Sequence, residues 1–134
     1  MDNVSQVVPF LGITDMDASL RFYTSGLGFE LKKSWTPEGR VRWCWLELGG
    51  TALMLQEYVP PSRKPEGTLG LGMSLNFVCN DALAIYRDLR GKGLEAKRPF
   101  VGNGMWVTTL RDPDGYVIEF ESRTDAPEES VYEE

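Results

Sequence analysis

"DMDASLRFYTSGLGFELKK" occupies residues 15–33, and "DALAIYRDLRGKGLEAKR" occupies residues 81–98. Each stretch opens on an aspartate, runs through a helical apolar pattern, breaks at glycine and enters a short strand-like segment. Asp15 and Asp81 are placed as N-caps, where a carboxylate accepts from an amide of the first turn. Met16, Leu20, Tyr23 and Leu27 fall on one helical face, and the helix ends at Gly26 and Gly28. Gly93 ends the second helix in the same way. Asp15 matches Asp81, Leu20 matches Tyr86 and Tyr23 matches Leu89, all at a shift of 66 residues. After one deleted residue the shift is 65, which aligns "GFELKK" with "GLEAKR" and Gly50 with Gly115. A period this long with this much agreement marks a duplicated supersecondary unit.

The flanking segments complete the unit. "VVPFLGIT" (7–14), "FELKKSW" (29–35), "RVRWCWLEL" (40–48) and "TALMLQEY" (51–58) read as strands, with Gly49 and Gly50 as a two-residue hairpin turn. In the second copy the strands are "SLNFVCN" (74–80), "LEAKRPF" (94–100), "GMWVTTLRD" (104–112) and "YVIEFES" (116–122). The fold class is therefore α+β, with eight strands and two helices in two βαβββ modules. The first module covers 1–58 and the second 73–122. Residues 59–72, rich in Pro and Gly, read as a mobile inter-module linker. Residues 123–134, "RTDAPEESVYEE", carry five acids against one arginine and read as a disordered, solvated tail.

The net charge of −6 comes mostly from that tail, and there is no basic stripe, so nucleic acid is excluded as a partner. No apolar run reaches membrane-spanning length, and the N-terminus lacks a basic start and long apolar stretch. Cys44 and Cys79 sit in apolar strand contexts as buried reduced thiols, which suits the cytoplasm. The chain contains no histidine. That removes Ser-His-Asp and Cys-His nucleophiles, imidazole acid–base chemistry and every imidazole-ligated metal site.

In "WCWLEL" (43–48), Trp43 and Trp45 share one face of a strand, while Cys44, Leu46 and Leu48 share the other. A strand apolar on both faces is covered on both. If the helix packs on one, the tryptophans either line a cavity or fill a core or dimer interface.

"GITDMDASLRFYTSGLGFEL" (12–31) resembles the first-helix signature of the vicinal oxygen chelate superfamily, the glyoxalase/bleomycin resistance/dioxygenase group. "LRDPDGYVIEF" (110–120) resembles its final hairpin, whose strand carries a glutamate. The likeness runs from about Val8 to Glu121. It implies paired modules whose curved mixed sheet surrounds a U-shaped cavity, metal ligands at up to four strand positions, and homodimers. The first-strand ligand position, seven residues before the capping aspartate, holds Val8 here, and its counterpart before Asp81 holds Ser74. The position four residues past the hairpin glycine holds Met54, and its counterpart past Gly115 holds Glu119. One carboxylate and one hydroxyl cannot hold a divalent ion that needs three or four donors. Glu47, Gln56 and Glu121 share the cavity-facing parity and could assist only a weakly bound cation. The expectation is no metal and no cofactor.

By strand parity the slot is lined by Val8, Phe10, Trp43, Trp45, Met54, Ser74, Asn76, Trp106, Thr108 and Glu119. Met packs against aromatic rings, and Trp stacks on planar groups and cations. Glu119, flanked by Ile118 and Phe120 yet facing inward, needs a partner. The resemblance to the metal-free bleomycin resistance proteins suggests a homodimer that sequesters a flat, partly hydrophobic molecule, including a cationic, antibiotic-like one. Lys32, Lys33, Arg40 and Arg42 near the first module would repel a cation. The alternatives are an enzyme with a degenerate metal site or Glu119 as general base, and a scaffold with a vestigial cavity.

Overall fold

The computed structural model describes residues 2–134. The chain divides into two compact units, one ending at Glu66 and the other spanning Gly67–Glu134. The division falls inside the Pro/Gly-rich segment, where a short helical turn, Pro61–Arg63, is the regular structure between the two sheets.

In the first unit, strand β1 (Phe10–Ile13) leads into helix α1 (Met16–Arg21), followed by β2 (Glu30–Trp35), β3 (Trp43–Leu48) and β4 (Thr51–Glu57). The sheet order is β1-β4-β3-β2, with β1 parallel to β4 and the remaining pairs antiparallel. The second unit repeats the plan with β5 (Ser74–Val78), α2 (Ala82–Gly91), β6 (Phe100–Gly102), β7 (Met105–Arg111) and β8 (Val117–Arg123), in the order β5-β8-β7-β6. These are two four-stranded mixed sheets with two main helices, an α+β architecture.

Both helices begin as their aspartates dictate. The Asp15 side chain accepts from the Ala18 amide at 3.1 Å, and the Asp81 side chain from the Ala84 amide at 2.9 Å. The duplication extends to the next amide. Met16 N–H donates to the Glu57 carboxylate at 2.9 Å, and Ala82 N–H donates to the Ser122 hydroxyl at 2.8 Å. Each core lies between a helix and one sheet face. Leu11, Ile13, Cys44, Leu46, Leu53 and Leu55 are buried in the first unit, and Leu75, Leu110, Ile118 and Phe120 in the second.

Three expectations need correction. The first helix buries Met16, Ser19, Tyr23 and Gly26 and leaves Leu20 and Leu27 half-buried, and beyond Arg21 it widens into a π turn over Phe22–Gly26. Ser19 is fully buried, and its hydroxyl has no hydrogen-bond partner among the described residues.

The strand expected over residues 94–100 forms only at Phe100–Gly102. Lys97 N–H still reaches the Thr109 carbonyl at 2.8 Å, but Pro99 offers no amide, so the ladder cannot run continuously.

The acidic tail is docked. Val131 bridges Phe100, Val101 N–H donates to the Ser130 carbonyl at 2.9 Å, and Tyr132 N–H donates to the Pro99 carbonyl at 2.9 Å. The Glu128 carboxylate accepts from the amides of Asn103 and Gly104, whose positive φ values of 53° and 73° turn both N–H groups toward it. The Tyr132 ring meets Tyr86 and Trp106 edge-on, with centroids 6.0 and 6.1 Å away. Tyr132 is the apolar anchor that a reading of the tail's net charge overlooks.

No helix among the described residues is long and apolar enough to cross a membrane.

Candidate functional site

In the first unit, the sheet face turned away from α1 is aromatic. One row across it runs Trp35, Trp43, Gln56, Gly12, and the next runs Lys33, Trp45, Met54, Phe10. Alternation explains the division, since Cys44 and Leu46 are buried against the helix while Trp43 and Trp45 are half-buried on the opposite face. Phe10 and Trp35 are 54% and 58% exposed, far more than rings of this size need to be in a closed core. The Lys33 ammonium lies 5.2 Å from the Trp45 ring centroid, a cation–π contact within the protein itself. The Trp45 indole N–H donates to Glu47 Oε2 at 2.8 Å.

At one end of this face is a cleft of about 670 Å³, bordered by Phe10, Gly12, Trp35, Gln56 and Tyr58, with Arg42, Arg63 and Glu38 at its polar edge. The volume falls in the range of roughly 300–1,000 Å³ found for small-molecule sites. Gly12 shapes it. A Cβ there would come within 2.2 Å of the Tyr58 hydroxyl oxygen and 2.3 Å of Cζ, so the phenol ring lies directly over the bare backbone of β1.

The buried carboxylate of Glu57 holds the polar side together. It accepts from the Met16 amide, from Arg42, and from Arg40 at 3.3 Å. Burial alone would raise its pKa. The amide and the two guanidinium groups outweigh burial and hold the carboxyl below its usual range. Arg40 and Arg42 are therefore not the free repelling cluster that the sequence suggested; both converge on Glu57.

In the second unit, the corresponding face carries Asn76, Glu119 and Thr109 in one row. Glu119 finds its partner there, accepting from the Thr109 hydroxyl at 3.0 Å, and the Ser74 hydroxyl donates to Asn76 Oδ1 at 2.7 Å. Trp106 and Thr108 do not share this face. Thr108 is fully buried on the helix side, donating to the Ala82 carbonyl at 2.8 Å, and Trp106 packs beside Tyr132. The second hairpin has one more residue than the first between paired positions (Thr109 with Glu119, against Trp45 with Met54), which reverses the phase of β7.

Of the ten residues expected at a slot, Phe10 alone borders the cleft. Trp43, Trp45 and Met54 belong to the same sheet face, and Val8 lies half-buried just before β1. Ser74, Asn76 and Glu119 belong to the second unit. Trp35, Tyr58 and Arg42 were not expected at the site. Their signal was available in part, since Trp35 shares the parity of Lys33 and is paired with Trp43. Glu57 was marked by being a charge in phase with Leu53 and Leu55.

The donor chemistry does not fit a transition metal. Val8 and Met54 offer no hard donor, Ser74 offers a hydroxyl and Glu119 one carboxylate. Among the described residues no three Cys, Asp or Glu side chains gather as a metal-holding group. The two cysteines are free. Burial pushes the Cys44 thiol up to about 11, and burial also raises Cys79, so neither is a ready nucleophile.

Comparison with known proteins gives the same framework. The profile of the Glyoxalase/Bleomycin resistance protein/Dioxygenase superfamily matches residues 4–120. No curated protein matches the sequence significantly. Among solved structures, the chain is similar to TnmS3, an antibiotic binding protein from Streptomyces sp. CB03234. The identity is 22% and the TM-score 0.71, covering 92% of this chain and 100% of that one. TioX from Micromonospora sp. ML1 aligns at 20% identity and a TM-score of 0.68, covering 90% of this chain and 100% of that one. Virulence protein STM3117 from Salmonella typhimurium aligns at 20% identity and a TM-score of 0.63, covering 90% and 98%. At these identities the likeness concerns the fold, which hosts more than one function.

Proposed function

Because the chain belongs to the glyoxalase/bleomycin resistance protein/dioxygenase superfamily, we propose that it is a binding member of that group, capturing a flat, partly apolar small molecule without metal chemistry. The observation that carries this reading is the open aromatic cleft bordered by Phe10, Trp35 and Tyr58. Exposed rings arranged along an open face offer stacking surface to a planar guest, roughly 0.5–1.5 kcal/mol per good aromatic pair beyond the area buried. The loss of hard donors at the superfamily's ligand positions supports binding over metal-assisted catalysis. The fold likeness to the antibiotic binding protein TnmS3 supports the same reading.

Titration with neutral 2-naphthalenemethanol tests it. Tryptophan fluorescence should be quenched saturably, and Trp35→Ala should weaken the titration by about tenfold, equivalent to about 1.4 kcal/mol. A stoichiometric transition metal in the purified protein would overturn the metal-free reading.

The same reading takes the chain as a homodimer, since each four-stranded sheet has two edges to cover. Sedimentation should give twice the chain mass at micromolar concentration; a monomer would count against it.

A further inference from the structure

Glu57 and Ser122 hold equivalent places, each seven residues past its hairpin glycine, Gly50 or Gly115. Each accepts from the first amide of its helix, at 2.9 and 2.8 Å. A serine hydroxyl therefore suffices for that bond, and a buried carboxylate exceeds what capping requires. The surplus goes to the two guanidinium groups. Arg40 reaches Glu57 with its side chain 57% exposed, while Arg42, 30% exposed, also borders the cleft. Glu57 is thus divided between Arg42 at the cleft and Arg40, which lies outside the lining and also has Asp15 and Asp17 acting on it. The lining itself holds two arginines, Arg42 and Arg63, and two carboxylates, Glu38 and the buried Glu57, of which Glu57 is already committed to the guanidinium groups. The donors of Arg42 and Arg63 that Glu57 does not use are left for a guest, and Lys33 already occupies a position over Trp45.

We infer that the cleft takes a planar aromatic anion, an arene carrying a carboxylate or phenolate, with Arg42 receiving the negative group and Glu57 aiming Arg42 as its positioning residue. This rests on the cleft reading above, and it departs from the sequence reading, which admitted a cationic guest beside basic residues that would repel one. A guanidinium presents planar donors that match a carboxylate, and Trp35 and Tyr58 supply the surface for the ring.

Three probes of nearly equal shape decide the matter: 2-naphthoate, 2-naphthalenemethanol and 2-naphthylmethylammonium, each titrated by tryptophan quenching at low salt. Naphthoate should bind about tenfold or more tighter than the alcohol, and the ammonium should bind weakest. Arg63→Gln, on an exposed segment outside the sheet, and Arg42→Gln should each lower naphthoate affinity more than that of the alcohol, so that the naphthoate-to-alcohol ratio falls. Glu57→Ser, which puts the residue of the second unit in the first, should keep the helix cap yet reduce the naphthoate-to-alcohol ratio. A purely structural role would shift all three probes together. Equal binding of naphthoate and the alcohol, or tightest binding of the ammonium, would overturn the charge assignment while leaving the cleft reading in place. An unchanged ratio in Glu57→Ser would remove Glu57 from it. If none of the three quenches, the cleft reading falls, and this inference with it.

Discussion

Gly12 shows how much one residue can decide. Its neighbours in sequence give no reason for a glycine in a strand, where it weakens packing and costs backbone entropy. The reason is Tyr58, 46 positions away, whose ring occupies the space a Cβ would fill. Gly12→Ala must displace that ring, and the clash falls on the far end of a side chain that can swing away. We expect a modest stability loss of about 1–2 kcal/mol and a larger loss of naphthalenemethanol binding. Denaturant unfolding and fluorescence titration measure the two. Adding Tyr58→Ala to Gly12→Ala should cost little more than Tyr58→Ala alone, because the clash is then absent. Independent, additive losses would mean that the ring and the glycine are not coupled.

Among the elements, the two helix starts form an internal control. Both are capped by an aspartate at the preceding position and by a residue from the last strand of their own sheet, but that second partner differs. Ser122→Ala removes one neutral bond and should cost about 1 kcal/mol. Glu57→Ala removes the bond and also leaves two guanidinium groups without their carboxylate. It should cost about 2–4 kcal/mol, discounted for the solvent that reaches both arginines. Chemical denaturation of the two variants makes the comparison, and equal losses would reduce Glu57 to a cap. The duplicated helices were apparent from Asp15 and Asp81, because capping is settled within three residues. The π turn after Arg21 was not, because it widens the helix without any Gly or Pro before Gly26 to mark it.

For the whole molecule, Glu57 links stability to pH. Its folded pKa lies below the ordinary value of 4.5, so its contribution is fully present above that value and is lost as pH falls through the lower, folded one. The stability difference between the native chain and Glu57→Gln should therefore be constant from neutrality down to about 4.5 and shrink below it. Glu30, also lowered by its bond to Lys32, titrates in the same direction but is common to both proteins. A difference that grew on acidification would reverse the sign and remove Glu57 as its source.

The repeated unit, the helix caps, the hairpins, the sidedness of β3 and β4, and the superfamily were all legible in the residues themselves. These depend on spacing within a few residues or on alternation along a single strand. The phase of β7 was settled only in the folded chain, where one extra residue in a hairpin carried Trp106 and Thr108 to the helix side. So were the docking of the tail through Glu128 and Tyr132, the meeting of Arg40 and Arg42 at Glu57, and the cleft beneath Tyr58. These last three join groups 15 to 46 residues apart. Such contacts depend on register, and a shift of one residue turns every side chain of a strand to the opposite face.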